Sequence, residues 1–384
     1  MEEYRVLPAA EKEEIKGRVR EALQRLPEVL FAYLHGSFLE APAFRDLDVT
    51  GAGREKVSGL PVAKISPTKI VTGRGAGGGG PLKRVMSISL GSSRRNHVVE
   101  MDILGERFHI QRIGTDGDIK QAIALIRELD GKVDAFGMGG IDLHVRAGNR
   151  RYTIREALPI ARAASRTPIV DGGGLKDTLE REVVRYLQEE VGLPLRGKKV
   201  LLVSGVDRFG MAEALVDAGC EVTFGDLIFI LGLPVPLRSL RALDRVARVI
   251  APIACWLPIS VLYPTGSKQD RVSPRYARYY REAEIIAGDF HFIRRYMPER
   301  LDGKIILTNT VTREDVEELR RRGVAMLVTT TPELEGRSFG TNVIEGVLVA
   351  LAGKRPEEIT PADYLDLLKR INFRPRVEKL AANT

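Results

Sequence analysis

Two stretches of this chain have residue types and spacings that could do chemistry. The first is Gly205-Val206-Asp207-Arg208-Phe209-Gly210, a loop with a glycine at each end, followed by Asp226, 21 residues after Gly205. Backbone N–H groups of such a loop, with a helix N-terminus behind them, suit a pyrophosphate. An acid at the end of the next strand suits a ribose hydroxyl. The cofactor implied is NAD or NADP, and Asp226 favours NAD, because a 2′-phosphate would meet its charge. The usual central glycine is replaced by Asp207, whose charge Arg208 could offset. Thr308 and Asn309 lie just past another strand end, where ligands sit in open α/β sheets. The second stretch is Asp171-Gly172-Gly173-Gly174, a carboxylate before three glycines that let a backbone approach a ligand closely. Asp171 could support a proton transfer, with His144 as its partner. Arg94 or Arg95, or an arginine of 146–151 such as Arg146, could hold the carboxylate of an anionic substrate.

A third set lies near the N-terminus. Gly36-Ser37 precedes Asp46-Leu47-Asp48, and the two aspartates share one face of a strand. They could hold divalent ions such as Mg2+. This stretch resembles the active-site signature of minimal nucleotidyltransferases, which implies metal binding by Asp46 and Asp48 if the segment is active. Residues 50–80 supply no third carboxylate strand, and 74–80 read as a glycine-rich linker.

The positioning elements follow from periodicity. Strands are expected at 84–90, 98–104, 107–113, 133–136 and 167–170, with a helix over 118–129, a hairpin at 141–145 and 151–154, and a helix over 155–164. A linking helix over 176–191 leads to a strand at 199–204, a helix at 211–218 ended by Gly219, and a strand at 220–224. Strands at 284–287, 304–308 and 325–329 alternate with helices at 313–321 and 341–351. Strand–helix alternation of this kind predicts an α/β protein. The expected order is a short N-terminal α/β fragment with its linker (1–80), a substrate-type α/β domain (81–175), and a Rossmann-like doubly wound parallel-sheet domain (176–384). Residues 227–265 form an apolar insertion broken by five prolines, read as a buried cap or a homodimer contact. No apolar run reaches the roughly 18 residues of a membrane span.

Composition narrows the function classes. The chain has 384 residues, 29% charged and 44% hydrophobic, as in a globular protein. The formal charge is +8, but the basic residues are scattered and aromatics make up only 6%, which argues against a nucleic-acid groove. An anionic small molecule fits that charge better. Two cysteines exclude a disulfide scaffold and a cysteine-based zinc site. The charged N-terminal residues do not read as a signal peptide, so a cytoplasmic location is expected.

The order of parts resembles the shikimate/quinate dehydrogenase architecture: an α/β domain, an Asp-Gly-x-Gly turn at 171–174, a linking helix, then Leu195-Arg196-Gly197-Lys198-Lys199-Val200 entering a nucleotide-type βαβ unit. Runs such as VDAFGMGGIDL, DRFGMAEALVDAGC and AGDFHFIRRYMPERL make residues 83–380 similar to a bacterial quinate 5-dehydrogenase-like set. The resemblance implies NAD(P)-dependent oxidation of quinate or a similar hydroxylated cyclic carboxylate, with Asp171 in the site and Ser92 and Ser93, with Ser89, in the place of the substrate-anchoring serines. It also implies a lysine partner for that aspartate, and the corresponding stretch 133–145 contains none. Two alternatives stay open: a nucleotide-binding or sensing protein on the same frame without hydride transfer, and nucleotidyl transfer through the N-terminal segment.

Overall fold

The computed structural model describes residues 82–147, 150–230, 232–256, 276–331, 333–334, 337–338 and 340–380. The expected N-terminal features, Gly36, Ser37, Asp46 and Asp48, lie outside these residues, as do 231 and 257–265 of the apolar insertion.

The protein is α/β, built on two sheets. β1 (Lys83–Ser89) is buried from Val85 to Ser89, as a central strand covered on both faces must be. It lies parallel to β3 (Glu106–Gly114) on one side and to β4 (Ala135–Gly139) on the other. β2 (His97–Ile103) forms an antiparallel hairpin with β3, and β7 (Ile169–Val170) adds to β4 in parallel. The order is β2-β3-β1-β4-β7. α1 (Ile119–Leu129) begins where the Asp118 side chain accepts from the Gln121 N–H, an N-cap. Its Ala122, Ile126 and Leu129 stripe packs with Met86, Ile88 and Phe136 on one face of this sheet. β5 (His144–Ala147) and β6 (Arg150–Thr153) form a separate hairpin. The helix expected over 155–164 is shorter, a tight turn at Arg155–Ala157 followed by Leu158–Ala161.

α2 (Gly173–Glu189) starts at the glycine turn itself and leads to the second sheet. There β8 (Lys199–Leu202), β9 (Glu221–Phe224), β10 (Ile285–Ala287), β11 (Ile305–Thr308) and β12 (Met326–Thr329) run parallel. The last strand, β15 (Arg376–Lys379), pairs antiparallel with β12, giving the order β15-β12-β11-β10-β8-β9. α3 (Phe209–Asp217) joins β8 to β9. From the apolar insertion, α4 (Leu240–Ala254) packs its Leu243 and Val246 into the β8–β9 core. α5 (Ala277–Glu282), α6 (Phe290–Tyr296) and α7 (Arg313–Arg321) complete the covering layers, and β13 (Glu333–Leu334) and β14 (Arg337–Ser338) form a small ribbon. Among the described residues no helix is long and apolar enough to cross a membrane.

The chain then returns to the first sheet. α8 (Thr341–Ala352) buries Val343, Val347 and Leu348 in one core with Val85, Phe108 and Ile110, and α9 (Pro361–Arg370) adds Tyr364, Leu367 and Leu368. Residues expected to belong with the cofactor half therefore cover one face of the substrate-type sheet. The close fit is visible at Gly346, where a Cβ would lie 3.0 Å from Val85 Cγ1.

Candidate functional site

The C-terminal ends of the two parallel sheets face each other across a cleft of about 170 Å3. β8 and β10 are neighbours in space although β9 follows β8 in sequence, so a crevice opens where the chain reverses direction across the sheet. Ser87 and Ser89 of β1, Arg95 and Arg112 line one wall, and Asn342 at the start of α8 joins them. Arg112 donates to the Ser89 hydroxyl at 2.9 Å and to the Ser92 carbonyl at 3.1 Å. Asn342 donates to the Ser87 hydroxyl at 2.8 Å. These contacts fix a guanidinium and an amide at the strand ends, where a carboxylate can be bound.

The opposite wall is built around Lys176, on the first turns of α2. Its ammonium donates to Asp207 at 2.8 Å and to Asp142 at 3.3 Å. Burial lowers the Lys176 pKa, but Asp142 and Asp207 overcome that effect and hold it above the ordinary lysine value. Burial pushes Asp142 well up, with Lys176 opposing and Asp207 adding to the rise. Asp207 is held well below the usual carboxylate range by Lys176 and Arg208, against the effect of burial. The Lys176 ammonium thus lies between a carboxyl raised by burial and a carboxylate lowered by its cationic neighbours. Such a group can donate to one substrate oxygen and accept a hydrogen bond from another.

Asp171 is fixed by the backbone around it. One carboxylate oxygen accepts from Leu143 N–H at 2.6 Å and His144 N–H at 3.3 Å, and the other accepts from Gly173 N–H at 2.8 Å. It ties the turn carrying Asp142 to the start of α2, which carries Lys176. The His144 ring makes a different contact, with Nδ1 3.1 Å from the Thr153 hydroxyl. Burial and Arg151 lower its pKa.

The glycine loop is arranged otherwise than its spacing suggests. The Asp226 carboxylate is 4% exposed and accepts from Gly205 N–H at 2.9 Å and Val206 N–H at 2.8 Å. It therefore sits on the amides that the sequence assigned to a pyrophosphate. A Cβ on Gly205 would lie 3.0 Å from both Leu243 of α4 and Phe224, so the insertion covers the loop. Arg208 is buried and bound to Glu180 at 2.6 Å and Asp289 at 3.2 Å. Gly210 allows α3 to lie against α2, since a Cβ there would meet the Asp177 carbonyl at 2.8 Å. These residues, as placed, do not fit a dinucleotide pyrophosphate.

The remaining expected residues are spread out. Thr308 is buried and donates to the Gly288 carbonyl, while Asn309 lines the cleft and donates to Asp289 at 2.7 Å. Ser92 caps the short turn at Ser93–Arg95, Ser93 N–H donates to Asp116, and Arg94 is exposed. It is Arg95 that enters the cleft, where it lies 2.9 Å from His291 Nε2. The turn reverses direction within three residues, so neighbouring arginines point to different sides. The side chain of Arg146 lies outside the described residues. Lys176, Asp142, Arg112 and Asn342 were not picked out from sequence. One signal was present for the first: Lys176 and Glu180 put charges one turn apart on a helix whose Leu175, Leu179 and Val183 are buried. Among the described residues no group of three or more His, Cys, Asp or Glu side chains could hold a metal ion.

Fold and site together define a two-sheet α/β protein with a polar cleft between the sheets. The chain belongs to the family described as Domain of unknown function (DUF8754), whose model matches residues 174–380. The model of a second, Domain of unknown function (DUF8753), matches residues 84–171. No curated protein matches the chain. Similar solved structures include an L-tryptophan dehydrogenase from Nostoc punctiforme, 11% identical with a TM-score of 0.32 over 76% of this chain and 80% of that one. An NAD-dependent malic enzyme from Thermotoga maritima is 11% identical, with a TM-score of 0.30 over 75% and 84%. A glucose-galactose binding protein from Geobacillus stearothermophilus is 8% identical, with a TM-score of 0.32 over 78% and 98%. Likeness at this level extends to enzymes and to binding proteins alike.

Proposed function

We propose that the cleft binds a small hydroxylated carboxylic acid, quinate or a similar cyclic acid, and holds one of its hydroxyls by hydrogen bonds. The observation that carries this reading is the pairing of the two walls. Arg112 and Arg95 line the cleft, where guanidinium groups suit a carboxylate, and Lys176 on the other wall lies between Asp142 and Asp207. In this reading Lys176 donates to one substrate oxygen and Asp207 accepts a hydrogen bond from a substrate hydroxyl. Asp171 is a positioning residue, since its oxygens are held by backbone N–H groups.

A second reading is oxidation of that hydroxyl by NAD or NADP. The crevice between β8 and β10 favours it. A hydride acceptor would supply the redox chemistry. Asp226 and Leu243 hold the loop against it in this conformation, so no step is assigned to it.

Calorimetric titration with quinate and shikimate, with and without NAD or NADP, tests both readings. Saturable binding of the acid is expected, weakened about 10- to 100-fold in Arg112→Ala, the usual worth of hydrogen bonds to a charged group. Turnover with NAD or NADP would establish the oxidoreductase reading, and binding without turnover a binding or sensing protein. No saturable heat from any hydroxylated carboxylate would overturn the proposal.

A further inference from the structure

Beside Asp171 and Lys176 lies a second chamber of about 380 Å3, lined also by residues of α8 and α9. We infer that this chamber binds a small primary ammonium group, with Glu345 Oε2 as its acceptor. The inference stands apart from the hydroxy-acid reading of the first cleft.

Glu345 lines the chamber, is 3% exposed, and its Oε2 has no hydrogen-bond partner. Its other oxygen, Oε1, accepts from the Tyr364 hydroxyl at 2.8 Å. A buried carboxylate oxygen without a donor is costly, and the chain keeps room for it. A Cβ on Gly174 would lie 2.3 Å from Oε1, so only glycine at 174 leaves the carboxylate in place. Five more carboxylates line the chamber: Asp142, Asp171, Asp177, Asp207 and Glu357. The basic groups there are Lys176, Arg151 and His144, and the Lys176 ammonium is directed to Asp142 and Asp207. A hydroxyl donor would satisfy Oε2 but leave the charge uncompensated; an ammonium does both. The Tyr364 and Phe209 rings also line the chamber and offer faces to the attached carbons.

Burial and the Asp171 charge push Glu345 up to about 7, with the Tyr364 hydroxyl and the Gly172 and Gly174 N–H groups opposing. A primary ammonium stays charged between pH 6.5 and 8. Its binding therefore draws on the ionised form of Glu345. His144, lowered below its ordinary value, stays largely neutral over this window.

The test is calorimetric titration with ethanolamine and, as the uncharged counterpart, ethylene glycol. Ethanolamine should bind at least 10-fold more tightly than ethylene glycol. Its affinity should rise about four-fold from pH 6.5 to pH 8, following the ionised fraction of an acid near 7. At pH 6.5 the heat should depend on the buffer's ionisation enthalpy with the sign of proton release, a readout that needs no variant. Glu345→Gln should lower ethanolamine affinity at least 10-fold while leaving quinate binding unchanged. Equal binding of the two compounds, absence of proton release at pH 6.5, or unchanged affinity in a folded Glu345→Gln protein would each overturn the inference.

Discussion

Asp226 shows how one spacing serves two roles. An acid 21 residues past a loop glycine can reach a ribose, and it can equally turn back onto the loop. Here it bonds Gly205 and Val206 N–H. If that is its role, Asp226→Ala leaves two amides without their acceptor and lowers stability by about 1–3 kcal/mol without any nucleotide present. A pure ribose acceptor would be neutral in that experiment, which chemical denaturation of wild type and variant decides. Glu345 makes a second prediction at this scale. Its folded pKa, about 7, lies above the ordinary value of 4.5. Its contribution is therefore fully present below about pH 4.5 and is lost as pH rises through 7. Relative to Glu345→Gln, wild type should gain stability as pH falls from 8 to 5, approaching roughly 3 kcal/mol. A pH-independent difference between the two would contradict the buried, partly unsatisfied carboxylate.

At the scale of elements, the glycine turn after β7 is the joint on which the site depends. Gly172 has φ +95, and a Cβ there would lie 2.9 Å from the Asn342 backbone N. Its two neighbours start α2 beside Glu345 and Asp171. Gly172→Ala and Gly174→Ala should each cost about 1–3 kcal/mol through strain or overpacking, and Gly174→Ala should in addition displace Glu345. Thermal unfolding of both variants checks this. This turn was legible in sequence because three successive glycines have few other uses. β8, α3 and β9 were legible for a related reason: each is specified by local apolar spacing and ended by a turn residue. The site was less so. Lys176, Asp142, Arg112 and Asn342 come from four separate stretches, and nothing local marks Arg112, on a strand end, or Asn342, on a helix start. Only packing brings them to one cleft. Arg94 and Arg95 are alike in sequence, and the fold of a three-residue turn decides which one enters.

At the scale of the whole molecule, the path of the chain after β12 matters most. The sequence divides naturally at the glycine turn, and the two family models meet near the same place. The packing does not follow that division. One face of the first sheet is covered by Leu175, Leu179, Val343, Val347, Leu348, Tyr364 and Leu367, all from beyond residue 171. Each large apolar side chain contributes roughly 1.5–3 kcal/mol on burial. Losing several of them exceeds the 5–15 kcal/mol net stability of a typical domain. A fragment of residues 82–171 should therefore not fold alone, although its length would be ample for a domain. Adding residues 341–373 in trans should restore little, because α2 also covers that face and loop closure then becomes a bimolecular cost. The full chain should unfold in one cooperative step, since α2 puts Leu175 and Leu179 in the core of the first sheet and Val183 and Leu187 in that of the second. Circular dichroism and amide dispersion in NMR of the 82–171 fragment, beside calorimetry of the full chain, measure this. A fragment with a cooperative thermal transition, or a full chain with two separated transitions, would mean that the first sheet is stable without the helices that return to it.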